Sequence, residues 1–121
     1  MIALRTSRLG GTASFLALLL SCHALAQEGV WSTKAPMPTA RCCLTTGFLD
    51  GSLFAVGGEI PSIGPNIALA TVEAFDPKNN SWTAKAPMPN PRYNTGSAVV
   101  DGIIYVVGGL DSSNHNSAVL D

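Results

Sequence analysis

Histidine is nearly absent from this sequence, cysteine is sparse, and no apolar run is long enough to cross a membrane as a helix. There are two histidines and three cysteines in 121 residues. Nothing pairs a nucleophile with a base, so no acyl-transfer or hydrolytic centre can be read from the residues. The longest apolar run, residues 13–20, falls well short of the ~20 residues a spanning helix needs. Seven lysines and arginines face eight acidic residues, with no basic cluster. Nucleic acid and anionic membrane surfaces are therefore excluded as expected partners.

The beginning of the chain is read as a leader. Arg5 and Arg8 precede the apolar run, and the run is followed by SCHALA, with Ala24 and Ala26 at the small-residue positions of a signal-peptidase site. Cleavage after Ala26 is the expectation, making residues 1–26 a signal peptide and Gln27 the first residue of the mature chain. A second route stays open: LLSC, ending at Cys22, resembles a lipoprotein signal in which Cys22 would be acylated. Both routes export the protein, so a secreted or periplasmic location is expected, with a lipid anchor through Cys22 as the alternative. Two cysteines outlast cleavage, the adjacent Cys42 and Cys43. Side chains of neighbouring strand residues point to opposite faces, so the pair is not expected to close on itself. Two readings remain: small buried apolar residues, or pairing with cysteines outside the chain.

What the sequence does hold is a repeat. KAPMP occurs at 34–38 and again at 85–89. Trp31 recurs as Trp82, Arg41 as Arg92, Asp50-Gly51 as Asp101-Gly102, and Gly57-Gly58 as Gly108-Gly109, every pair offset by 51 residues. Over residues 31–58 and 82–109 there are twelve identities in twenty-eight positions without an insertion. Chance similarity of two strands would not keep turns, tryptophan and diglycine in one register. The repeat units run about 31–81 and 82–121.

Each unit reads as strands and turns. Asp-Gly between two apolar runs predicts a type I′ hairpin joining 41–49 to 52–58, and 92–100 to 103–109. A third strand is expected at 71–75, a turn at DPKNN, and a fourth strand at 81–85. A further outer strand is expected at 30–34. The first strand of each unit is rich in small residues (Thr45, Thr46, Gly47; Gly96, Ser97, Ala98) and the second in bulkier ones, as a wedge-shaped blade requires.

The diglycine ending a strand, the acidic-aromatic VEAFDP, the tryptophan, then APMP and an arginine resemble the kelch motif, and the resemblance covers nearly all of residues 27–121. Phe75 stands where the motif often has tyrosine. The period matches the ~50 residues of a kelch unit, whose fold is a β-propeller of radial four-stranded sheets. The resemblance thus implies an all-β fold of kelch-type blades of four antiparallel strands, about one and a half of them here. A ring takes ~4–8 blades, so the chain is expected to be part of a larger propeller, self-assembly being the alternative. KAPMP would link the outer strand of one blade to the inner strand of the next, with Met37 or Met88 filling the gap between blades.

Strand direction puts the two KAPMP connections and the connections 59–69 and 110–120 at one end of the blades, the end where varied loops on a rigid scaffold carry function. The resemblance implies that Arg41 and Arg92 stand near the mouth of a central channel, where kelch propellers contact acidic ligands, with Tyr93 beside the second. The competing reading is that each arginine pairs with a carboxylate such as Glu73. Trp31, Trp82, Gly57, Gly58, Gly108 and Gly109 are structural repeat residues. His115, in a polar loop, reads as solvated, and no catalytic residue, metal or cofactor is expected. The leading functional reading is a protein- or carbohydrate-binding module. A fragment of a kelch-propeller enzyme (of sialic-acid epimerase or copper-radical oxidase type) and a structural segment of a surface protein are the alternatives. A lone mature histidine argues against the copper type, which needs several tyrosine and histidine ligands.

Overall fold

The computed structural model describes residues 2–6, 29–63 and 66–121. The chain divides into two units, Met1–Lys34 and Ala35–Asp121. In the first, β1 (Ile2–Thr6) runs antiparallel to β2 (Gly29–Thr33), with Ile2 opposite Thr33 and Thr6 opposite Gly29. The outer strand expected at 30–34 is thus present, one residue earlier. Residues 7–26 of the expected leader lie outside the described residues. Cleavage after Ala26 would remove β1 and leave β2 without that partner.

The second unit begins its regular structure with β3 (Thr45–Leu49) and β4 (Ser52–Val56). A short ladder follows, β5 (Glu59–Ile60) with β6 (Ile67–Ala68), and then β7 (Val72–Asp76) and β8 (Ser81–Lys85). Strands β3, β4, β7 and β8 form one antiparallel sheet in that order. The next two strands, β9 (Gly96–Val100) and β10 (Ile103–Val107), pair as a hairpin that begins a second sheet. This is one complete blade and the inner half of another.

Both hairpins close as the sequence predicts, with Leu49 opposite Ser52 and Val100 opposite Ile103. The turn residues have positive φ at both central positions, 49° and 78° at Asp50 and Gly51, 50° and 76° at Asp101 and Gly102. That is the type I′ requirement, which matches the right-handed twist of the flanking strands. The strand ends differ from expectation. β3 and β9 start at Thr45 and Gly96 rather than at 41 and 92, because Cys43 (φ 56°) and Asn94 (φ 52°) adopt the left-handed region and interrupt the extended backbone. Likewise β4 and β10 stop at Val56 and Val107, because Gly57, Gly58, Gly108 and Gly109 all have positive φ. The third strand runs one residue later than 71–75.

The small residues of the inner strands have a visible purpose. A Cβ on Gly47 would stand 3.3 Å from three atoms of Ile104 in the neighbouring sheet. The Thr45 and Ser97 hydroxyls meet at 2.6 Å, and Ser97 Oγ also donates to Thr46 O at 2.8 Å. Inner strands of adjacent blades therefore nearly touch, and the space between the sheets widens outward. That space holds the core: Val56, Met88 and Val106 are buried, with Phe54, Val72 and Ile104 packed on them. Met88 fills the gap from the second KAPMP. The first KAPMP passes the outer strand, where Trp82 Nε1 donates to Ala35 O at 3.0 Å and Ala35 N donates to Asn80 Oδ1 at 2.9 Å. The Trp82 ring packs on Phe75, centroids 5.3 Å apart.

Candidate functional site

The end of the blades opposite the Asp-Gly turns is laced together by its backbone. Cys42 and Glu59 exchange N–H···O bonds of 3.0 and 2.9 Å, and Tyr93 and Leu110 make the equivalent pair at 3.0 and 2.9 Å. Asn94 N donates to Cys43 O at 2.8 Å and Gly58 N to Arg92 O at 3.0 Å, so the segments of successive repeats lock onto one another. Ser112 Oγ accepts from Ala68 N at 3.0 Å, joining the two long connections. Of the connections expected at this end, the described parts of 59–69 and 110–120 meet there, whereas the first KAPMP begins beside Asn80 of the β7–β8 turn.

Arg41 and Arg92 lie beneath this surface, with side chains 0% and 1% exposed. Arg41 Nη1 reaches Glu73 Oε2 at 2.6 Å and donates to Thr39 O, while Nη2 donates to Ala55 O. Glu73, itself buried, also accepts from Thr39 Oγ1 at 2.8 Å. Arg92 donates to Gly108 O and Val119 O and pairs with Asp121. The two partners are equivalent. Val56 stands opposite Val72, the residue before Glu73, and Val107 bridges Leu120, the residue before Asp121. An arginine–carboxylate pair under the loop end is thus built into both repeats. Of the two readings of these arginines, pairing with Glu73 is the geometry observed for Arg41. Burial lowers the Arg92 pKa from its ordinary value.

Tyr93 is buried, and its hydroxyl donates to Asn114 Oδ1. Its pKa is raised by burial and then by the negative charges of Glu59 and Asp111. Next to Arg92 a cavity of about 370 Å³ opens, lined by Asn90, Pro91, Asp111, His115 and Asn116 among others. His115 is exposed, as expected, with Nδ1 3.6 Å from Asp111 Oδ2. Asp111 organises the loop: its Oδ1 accepts from the N–H groups of His115 and Ser113 at 2.9 and 2.8 Å. Those two bonds hold its carboxyl below the usual carboxylate range.

The cysteine expectations need correction. Both Cys42 and Cys43 are exposed, not buried. They do not point to opposite faces either, since the left-handed Cys43 breaks the strand alternation and Cys43 Sγ lies 3.4 Å from Cys42 Sγ. Cys42 Sγ is in turn 3.8 Å from Glu59 Oε1. Hydrogen bonding to Cys42, then to Glu59, pushes the Cys43 thiol up to about 11. Glu59 was passed over in the sequence because it reads there as one polar residue after a diglycine.

Comparison with known proteins covers the same residues. The family model described as the Kelch motif matches residues 40–89 and 91–119. Kelch-like ECH-associated protein 1B of Danio rerio is 35% identical over 92 residues, covering 76% of this chain and 16% of that protein. Influenza virus NS1A-binding protein homolog B, also of Danio rerio, is 43% identical over 81 residues, 67% of this chain and 12% of the other. Among solved structures, that of YjhT superposes with a TM-score of 0.65 at 29% identity, covering 74% of this chain and 27% of YjhT. The chain spans less than a third of each of these proteins.

Proposed function

The chain belongs to the kelch-repeat family, and from that premise we propose that it is an exported binding segment of a larger β-propeller, presenting the loop end of its blades to a protein or carbohydrate ligand. One observation carries this reading: two frames with the same hairpin register, diglycine and two-way bridge hold two unlike loops. After Gly58 the connection makes the short β5–β6 ladder, whereas after Gly109 it is a turn organised by Asp111, closed by a Leu110–Asn116 bridge. Loops that differ on a shared scaffold are where binding residues are usually carried. One relative is named for binding a viral protein, which weighs toward a protein ligand. Export is supported by Arg5, Arg8 and the apolar run at 13–20.

In this reading the crests of residues 59–63 and 111–116 contact the ligand. Arg41, Arg92 and Tyr93 hold that surface from below. The test is made in the longest propeller that contains this segment, screened against a glycan array and by cross-linking to proteins of its own compartment. Replacing residues 111–116 with a Gly/Ser stretch of equal length should abolish capture while the β-sheet circular dichroism persists. Undiminished capture would refute the assignment of the loop end. Fusion of residues 1–26 to alkaline phosphatase tests export: activity is expected, and an inactive cytoplasmic fusion would refute it.

A further inference from the structure

Three potential ligand atoms stand together at the loop end, and the fold does not require any of them. The Sγ atoms of Cys42 and Cys43 and a carboxylate oxygen of Glu59 all lie within 4.8 Å of one another. In the second repeat the same backbone recurs, with the same two-way bridge and the same left-handed residue, yet Tyr93, Asn94 and Leu110 occupy the three positions. Glu59 is 7% exposed, and its Oε2 has no hydrogen-bond partner among the described residues. A buried carboxylate oxygen without a donor is costly unless something positive meets it.

We infer that Cys42, Cys43 and Glu59 form a site for one thiophilic divalent cation of the Zn²⁺ or Cd²⁺ class. Two thiolates and a carboxylate are a donor set for such ions, and three protein ligands leave a fourth position open, here toward solvent. Tetrahedral coordination with metal–sulfur bonds of about 2.3 Å sets sulfurs about 3.8 Å apart. The observed Sγ–Sγ and Sγ–Oε1 separations of 3.4 and 3.8 Å need only small adjustments. Binding displaces the two thiol protons to solvent and makes no other covalent change. The pair is poorly placed for the rival fate, a disulfide with itself. Adjacent Cα atoms are about 3.8 Å apart across a trans peptide, below the usual disulfide range of roughly 4.4–6.8 Å.

The test is a titration of a soluble propeller carrying this blade, reduced and metal-free, with Cd²⁺ alone, following thiolate-to-cadmium charge-transfer absorption. Saturation at one Cd²⁺ per chain is expected, with Zn²⁺ alone displacing it. The double variant Cys42→Ser/Cys43→Ser should lose the band, and a surviving band would overturn the site. Glu59→Gln should weaken Cd²⁺ binding by at least roughly tenfold, the lower bound for losing even an outer-shell partner, while Asp50→Asn, at the far end of the blade, leaves it unchanged. Equal binding by Glu59→Gln overturns the three-ligand site. Should Glu59→Gln lose its β-sheet circular dichroism, the wild-type chain decides. Cd²⁺ at the folded chain's saturating concentration must shield both cysteines of the tryptic peptide 42–78 from iodoacetamide, and urea must remove that shielding. Labelling unaffected by Cd²⁺ overturns the proposal.

Discussion

Single residues at the ends of β4 and β10 carry most of the geometric demand of the repeat. A Cβ on Gly58 would lie 2.6 Å from Cys42 O and 3.0 Å from Leu44 Cβ, at a φ of 102°. Gly58→Val, made in a propeller that folds, should cost roughly 2–4 kcal/mol through strain and overlap together. Denaturant midpoints measure this, and an unchanged midpoint would show the diglycine to be dispensable. The buried arginine pair makes a second expectation at this scale. Removing Glu73 alone (Glu73→Leu) should cost about 3–5 kcal/mol, because it strands the Arg41 guanidinium without its countercharge. The double change Arg41→Met/Glu73→Leu should cost less than Glu73→Leu by itself, and additive losses would contradict a coupled pair. The sequence names Glu73 as a partner for an arginine but hides the Arg92–Asp121 pair, because the second long connection is three residues shorter and the offset of 51 fails there. It hides the cysteine cluster for a similar reason. Alternation along a strand predicts opposed side chains, and a left-handed non-glycine residue cannot be seen in composition.

Strands and hairpins were the most legible level. Asp-Gly twice in one register fixes both turns, and each turn fixes which residue of one strand faces which of the next. Their ends were less legible, since Cys43 and Asn94 delay the start of β3 and β9 by backbone conformation rather than by a proline or glycine signal. The β7–β8 turn adds a pH dependence. Asp76 Oδ1 accepts from Lys78 N at 2.8 Å and Oδ2 from Asn79 Nδ2 at 2.5 Å, and its carboxyl is held below the ordinary value, chiefly by the Lys78 N–H. A depressed folded pKa means that the stabilisation is complete above the unfolded carboxylate pKa and is lost as pH falls through the lowered one. The stability gap between wild type and Asp76→Ala should therefore be constant near neutrality and close below ~pH 4. A gap that is the same at low pH would contradict this role. The stability measurement belongs in a soluble propeller carrying this blade.

At the scale of the molecule, the faces left over by one and a half blades dominate. On β9 and β10, Val99, Val100, Ile103 and Val107 are 41–52% exposed. An apolar cleft of about 540 Å³ runs between the sheets past Phe54, Met88 and Ile104. A propeller covers such surfaces with its next blade and closes after ~4–8 of them, and repeat units without neighbours are unstable. The repeat made this architecture readable from the sequence, whereas ligand and partner lie in loops that differ between copies and obey no period. The direct test is sedimentation velocity with thermal unfolding of residues 27–121, compared with the same segment extended by further repeats until the ring closes. The short form should aggregate or unfold without a sharp transition, and the extended form should be a monomer that melts cooperatively. A monomeric short form with a sharp transition would contradict the account that these blades are built to be covered by others.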